Sequence, residues 1–264
     1  MELDLVGRRA AVMASSDGIG KAIAQSLVRE GVHVMMCGRD EAKLAAAMEE
    51  ARAVARDGAQ VAGERIDLGT AHGPALLVEA AATAFGGLDI LVTNTGGPPA
   101  GPLLGFDDEA WQSAFESVLL SVARGARAAE PYLAASDQGR IVAIASSSIK
   151  FSLSGLGFSN VFRPGINGLV KTLAEELGPK GITVNLIAPG KIDTARVRWI
   201  DDKRAERTGA SPEDVRAASE RDIPLGRYGE PAELAEVAVF LCSKAGRYVS
   251  GTATLVDGGL VRAL

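Results

Sequence analysis

The stretch "AAVMASSDGIGKAIAQSLVRE" (residues 10–30) sets the architecture of the chain. Its first five residues, "AAVMA" (10–14), form a short apolar run without polar alternation, which reads as a buried strand. "KAIAQSLVRE" (21–30) spaces apolar residues by three and four, the pattern of a helix with one face in a core. Between them lies "ASSDGIG" (14–20). Gly18 and Gly20 carry no Cβ where an anion would approach the backbone. The following helix start offers unpaired N–H groups and the positive end of its dipole. The turn is therefore the first candidate site.

The same alternation repeats along the chain. "VHVMMCG" (32–38) reads as the next strand, and "DEAKLAAAMEEARAVARDG" (40–58) as a helix with an acidic cap and a closing glycine. Strand "QVAGERID", helix 74–85, strand "LDILVTN" (88–94) and helix 108–134 follow. Strand "RIVAIAS" (140–146), a helix over about 160–178 and strand "TVNLIAP" (183–189) complete the series. Strands this apolar are covered on both faces, and helical crossovers between them force parallel pairing. The expected fold class is α/β: one domain over residues 1–264, a Rossmann-type doubly wound parallel sheet with helices on both faces. Ligands of such sheets bind beyond the carboxyl ends of the strands, so the loops after residues 13, 38, 94, 146 and 189 carry the function.

Composition narrows the partners. A net charge of −5 argues against a nucleic-acid or anionic-membrane surface. No apolar run reaches the ~20 residues of a membrane span, and "MELDLVGRR" has no apolar signal core. Cys37 and Cys242 form no metal motif and sit in apolar runs as free thiols. A cytoplasmic protein acting on a small molecule is expected.

One segment breaks the rhythm. Residues 195–221 hold seven basic and six acidic side chains and few large apolar ones. "SPED" marks a helix start there, with Ser211 as cap and Pro212 in the first turn. Leaving from a strand's carboxyl end, residues 191–222 read either as a solvated helical excursion or as a substrate lid, with Trp199 its apolar contact.

The motifs in order resemble the short-chain dehydrogenase/reductase family over nearly the whole chain. They are "GIG" in the first turn, Asp67 ending the third strand, "NTGG" (94–97), "GRIVAIAS" (139–146), "GITVNLIAPGKIDT" (181–194), "PLGRYGEPAELA" (224–235) and "SGTATLVDGGL" (250–260). Within it the chain is similar to a divergent branch near the 3-oxoacyl-carrier-protein reductases. The resemblance implies a dinucleotide cofactor. Ser15, Gly18, Ile19 and Gly20 would wrap its pyrophosphate and adenosine ribose, and Asp67 and Leu68 would flank the adenine. Asn94 and Gly96 would line the ribose; Pro189, Gly190, Ile192 and Thr194 would hold the nicotinamide end. The family's first glycine is Ala14 here, which is tolerable only if the turn keeps negative φ. Gly38 with Arg39 stands where an acid would select NAD(H), which favours NADP(H); Asp17 points the other way.

The family's catalytic serine maps to Ser146, but its tyrosine, lysine and asparagine map to Ser159, Arg163 and Val118. A serine hydroxyl is a far weaker acid than a phenol, and an arginine keeps its proton. Pro164 adds a geometric constraint: the helix either starts near 163–164 or is kinked there. Lys150 and Lys191 are the lysines nearest the expected site, and Lys191 directly follows "PG". The chemistry is then that of an NAD(P)(H)-dependent oxidoreductase of a small carbonyl or alcohol, using Ser146, Ser159, Arg163 and Lys191. A non-redox lyase, isomerase or dehydratase, or a weakly catalytic nucleotide-binding protein, are the alternatives. The resemblance further implies a homo-oligomer, a dimer or tetramer.

Overall fold

Seven short apolar segments pair in parallel because helices between consecutive strands carry the chain back to the same end. In the computed structural model, which describes residues 2–263, the strands are β1 (Arg9–Val12), β2 (His33–Gly38), β3 (Val61–Arg65), β4 (Ile90–Thr93), β5 (Arg140–Ile144), β6 (Thr183–Pro189) and β7 (Ala253–Val256). They form one sheet in the order β3-β2-β1-β4-β5-β6-β7, every neighbouring pair parallel. Met1 and Leu264, the ends of the single-domain span, lie outside the described residues. The helices are α1 (Gly18–Arg29), α2 (Glu41–Ala53), α3 (Gly73–Phe85), α4 (Asp108–Ala114), α5 (Ser121–Ala134), α6 (Gly157–Leu177), α7 (Ala195–Thr208), α8 (Pro212–Asp222) and α9 (Pro231–Cys242).

The doubly wound α/β architecture is as the alternation implies. Strands β1, β4, β5 and β6 are buried along nearly their whole length, and each face of the sheet carries its own apolar cluster. α1 shows the underlying pattern: Gly20, Ile23, Ala24, Leu27 and Val28 are buried and its acidic cap Asp17 is exposed. The order in which strands are added reverses between β1 and β4, so the loops after these strands flank a crevice.

Two helices differ from expectation. The predicted helix 108–134 is three segments, because a π-helical stretch, Phe115–Leu120, separates α4 from α5. Val118, at the position of the family's asparagine, lies in this stretch and is fully buried. The helix expected from about 160 starts at Gly157 and continues through Pro164, so it does not begin at 163–164. Aromatic packing outweighs the proline. Phe158 stacks on Phe106 (ring centroids 4.3 Å apart) and meets Trp111 edge-on at 5.0 Å, while Phe162 meets Trp111 at 5.8 Å. These contacts hold the first turns of α6 in place despite the lost backbone donor.

Among the described residues no helix is long and apolar enough to cross a membrane.

Candidate active site

The first turn is built to be narrow. Gly18 has φ +54°, a conformation that favours glycine. A Cβ on Gly20 would stand 2.2 Å from the Ala14 carbonyl oxygen, so only glycine lets α1 start this close to β1. Ala14 itself has φ +47°, which corrects the sequence-based condition that the turn keep negative φ there. The turn retains its left-handed residue and places the strain on an alanine. Asn94 Nδ2 donates to Ala14 O at 3.2 Å and ties the β4 loop to this turn. Asp17 caps α1, accepting from the Gly18 amide at 2.7 Å.

Ser15 is fully buried: its hydroxyl donates to Val12 O at 2.8 Å and accepts from the Cys37 amide at 2.9 Å, while its own N–H bonds Cys37 O. It locks β1 to β2, and its polar groups are engaged within the protein. Ile19 is half-buried beside it. At the end of β2 a Cβ on Gly38 would lie 2.6 Å from Ser16 Oγ, so glycine leaves this room to the Ser16 hydroxyl; Arg39 beside it is exposed. Asp67 is exposed and accepts from the Gly69 amide at 2.9 Å, and Leu68 is buried beneath it. Gly96 faces open space, with nothing within 4 Å of where its Cβ would be.

On the far side, Pro189 ends β6 and Gly190 packs so closely on the end of β7 that a Cβ would fall 2.6 Å from that of Asp257. Ile192 is buried. Thr194 caps α7, its hydroxyl accepting from the Val197 amide at 3.3 Å, and its methyl lies 3.4 Å from a Cβ built on Gly18. The turn after β1 and the segment after β6 therefore meet across the crevice. A cradle of glycines at a helix start, open at Gly96 and walled by Thr194, fits a dinucleotide.

The catalytic candidates converge at the end of β5. Ser146 opens a 3₁₀ turn and accepts from the Ser148 amide at 3.2 Å. Ser148 Oγ lies 3.4 Å from Ser159 Oγ and 3.3 Å from Ser159 O. Ser159 and Arg163, four residues apart, share one stripe of α6, next to the row of its aromatic anchors Phe158 and Phe162. Both are buried. Arg163 donates from Nη1 to Ile144 O at 3.0 Å, while its Nε is buried without a partner. Burial, then repulsion from Arg196, pulls the Arg163 guanidinium down to about 10.

The two lysines differ in their settings. Lys150 is exposed. Lys191 pairs with Asp201 of α7 at 2.9 Å, and Asp201 also accepts from the Tyr228 hydroxyl at 2.7 Å. The three tyrosines are accounted for by this bond and by the surface positions of Tyr132 and Tyr248.

Three residues escaped the sequence reading. Ser148 lies only two positions after Ser146, so turn geometry was its only missing signal. Ser16 and Arg196 carried none. Arg196 reaches from α7 to the β4 loop, donating to Pro98 O at 2.6 Å, and its Nε lies 2.6 Å from a Cβ built on Gly97.

The comparisons agree with this geometry. A family model described as "Enoyl-(Acyl carrier protein) reductase" matches residues 13–261. The human protein "Dehydrogenase/reductase SDR family member 4" is 34% identical over 260 residues, covering 97% of this chain and 88% of the relative. L-sorbose reductase from Gluconobacter frateurii, solved with NADPH and L-sorbose, superposes with a TM-score of 0.93 at 31% identity over 100% of both chains. A point variant of actinorhodin polyketide ketoreductase, solved with NADPH, gives 0.90 at 30% identity, covering 98% of this chain and 99% of that one. With its glycine turn, its strand order and the match along nearly its full length, the chain belongs to the short-chain dehydrogenase/reductase family of oxidoreductases.

Proposed function

We propose that the protein is an NADPH-dependent reductase of a small carbonyl compound that works through serine hydroxyls and a buried arginine in place of a phenol. The observation that carries this reading is the Ser146–Ser148–Ser159 cluster beside the half-satisfied Arg163 guanidinium. When bound, NADPH supplies the hydride. Gly18, Gly20 and the α1 N–H groups would hold its pyrophosphate, and Asn94, Gly96, Pro189, Gly190, Ile192 and Thr194 would line the rest of its path.

The choice of NADPH over NADH rests on Gly38. Glycine there leaves Ser16 and Arg39, rather than a carboxylate, to meet a ribose 2′-phosphate. Two structurally similar reductases are described as NADPH complexes.

The side chains divide the remaining work. Ser146 and Ser159 hydrogen-bond the substrate carbonyl oxygen and orient it. Arg163 stays charged at neutral pH and stabilises negative charge as it develops on that oxygen, in a site where burial strengthens the interaction. As the hydride adds to the carbonyl carbon, Ser159 gives its hydroxyl proton to the carbonyl oxygen and takes one back from Ser148, which is reprotonated in turn from solvent. The α7–α8 excursion closes over the site as a lid, held through Arg196 and through Asp201 on Lys191. Lys191 then serves to anchor the lid rather than to move a proton. The half-exposed edge strand β7 and the exposed Val161 on α6 support a homo-oligomer, and two buried free thiols suit a reducing cytoplasm.

Rapid mixing of the NADPH-loaded protein with a ketone panel tests the reading. Oxidation of bound NADPH is expected. Tight binding of NADPH with no oxidation by any ketone would favour the non-redox alternative, for which the lack of a titratable acid at Ser159 is the supporting observation.

A further inference from the structure

On the reductase reading, the charges lining the site bear on what the substrate carries besides its carbonyl. Two guanidinium groups stand at the site without a counter-charge. Arg163 is buried, bonded only through Nη1 to a backbone carbonyl, with its Nε orphaned. Arg196 is half-buried on the first turn of α7, bonded to Pro98 O and laid over the Trp199 ring at 4.5 Å. Each lies close enough for Arg196 to disfavour the charge on Arg163. Among the described residues no carboxylate pairs with either one. The neighbouring arginines of the lid behave differently: Arg198 and Arg216 both pair with Asp193, at 2.8 and 3.1 Å.

Arg140, the other buried arginine, shows what a structural one looks like here. It sits at the opposite end of the sheet, at the start of β5, and although its Nε also lacks a partner it places both terminal nitrogens on carbonyls, Gly139 O and Ser243 O, where Arg163 places one. Arg163 and Arg196 instead come from different elements, and the β4 loop makes room for the second. Gly97 is bare where any side chain would strike Arg196 Nε. The same loop holds a further buried polar atom without a partner, Thr95 Oγ1.

Burying positive charge without an anion is costly, and a second like charge nearby adds to the cost. We infer that Arg163 and Arg196 together receive the carboxylate of the substrate, which is an oxo acid. A 2-oxo or 3-oxo acid sets its carboxylate one or two bonds from the reacting carbonyl, so a single cationic wall serves both groups. Arg196, being on the lid, couples closure to the presence of the acid. The fork of each guanidinium matches a carboxylate's two oxygens.

The test is calorimetric and needs no turnover. The NADP⁺-loaded protein is titrated with pyruvate and acetoacetate, each beside its amide, and the same series is run on Arg196→Gln and Arg196→Lys. The acids are expected to bind about 10- to 100-fold tighter than the amides. Arg196→Gln, on a half-exposed position that does not threaten folding, is expected to bring acid and amide within about two-fold of each other, with Arg196→Lys intermediate. Equal binding of acid and amide by the wild type overturns the inference, as does a preference that survives Arg196→Gln. Inorganic phosphate binding more tightly than either acid, with the same dependence on Arg196, overturns the assignment to a carboxylate. Repeating the titration without NADP⁺ separates the two claims. An Arg196-dependent acid preference in a protein that binds no dinucleotide sinks the reductase reading and keeps the anion site.

Discussion

Lys191 Nζ and Asp201 Oδ1 lie 2.9 Å apart, joining the segment that leaves β6 to the buried side of α7. The other oxygen of Asp201 accepts from Tyr228, whose ring is flanked by Arg216 at 4.5 Å and by Lys191 at 5.5 Å. Burial, together with the bond to Asp201, pushes the Tyr228 phenol well above its ordinary value, so this tyrosine keeps its proton and acts as a strut. Replacing Asp201 by Ala leaves a lysine and a buried hydroxyl without their acceptor. Because Lys191 is a quarter exposed, the expected loss is moderate, about 2 kcal/mol, rather than that of a fully buried pair. A lower denaturant midpoint and faster proteolytic cleavage within 195–222 would show it.

At the turn, Ala14 and Gly20 make opposite predictions. Ala14→Gly removes the strain of φ +47° and is expected to stabilise the protein by about 0.5–1 kcal/mol while tightening NADPH binding. Gly20→Ala drives a methyl to 2.2 Å from a backbone oxygen that cannot move without displacing β1, and should weaken NADPH binding by about 100-fold or more. Thermal melts with and without NADPH report both.

Cofactor choice turns on one position. An aspartate at 38 must push aside Ser16 Oγ, the flexible end of a side chain, and then sets a carboxylate against the 2′-phosphate. Gly38→Asp is expected to lose about 100-fold in affinity for NADPH and to gain affinity for NADH. Paired titrations with the two cofactors measure the ratio.

The architecture was legible because it depends on apolar runs and their spacing, and both survive in any order of substitution on the surface. The glycine turn was legible for the same reason: Gly18 and Gly20 are demanded by backbone geometry. What the sequence could not show was long-range placement. Arg196 lies nearly a hundred residues from Pro98, and no local pattern announces that contact. The course of α6 through Pro164 was also hidden, because it is decided by Phe158 and Phe162 meeting Phe106 and Trp111 from another part of the chain. Local rules allowed either a helix start or a kink at the proline, and tertiary packing removed the first of these.

The charge on Arg163 gives the pH dependence. Burial lowers its folded value to about 10, below that of the unfolded chain, so the folded protein binds this proton less tightly. The charged form therefore costs stability at neutral pH, and the cost is relieved as pH rises through about 10. Activity moves the other way and is expected to fall through the same range. Arg163→Met should make the protein more stable at pH 7 by about 1–2 kcal/mol while abolishing reduction. Chemical denaturation beside a pH–rate profile tests both signs.

The hydroxyl chain carries the proposed proton path, and single-turnover oxidation of bound NADPH in Ser148→Ala and Ser159→Ala isolates its contribution. Each variant is expected to retain NADPH affinity and to slow hydride transfer by about 10- to 100-fold, with the double variant little worse than either single one because the two hydroxyls act as one relay. Wild-type rates in both single variants would contradict the account.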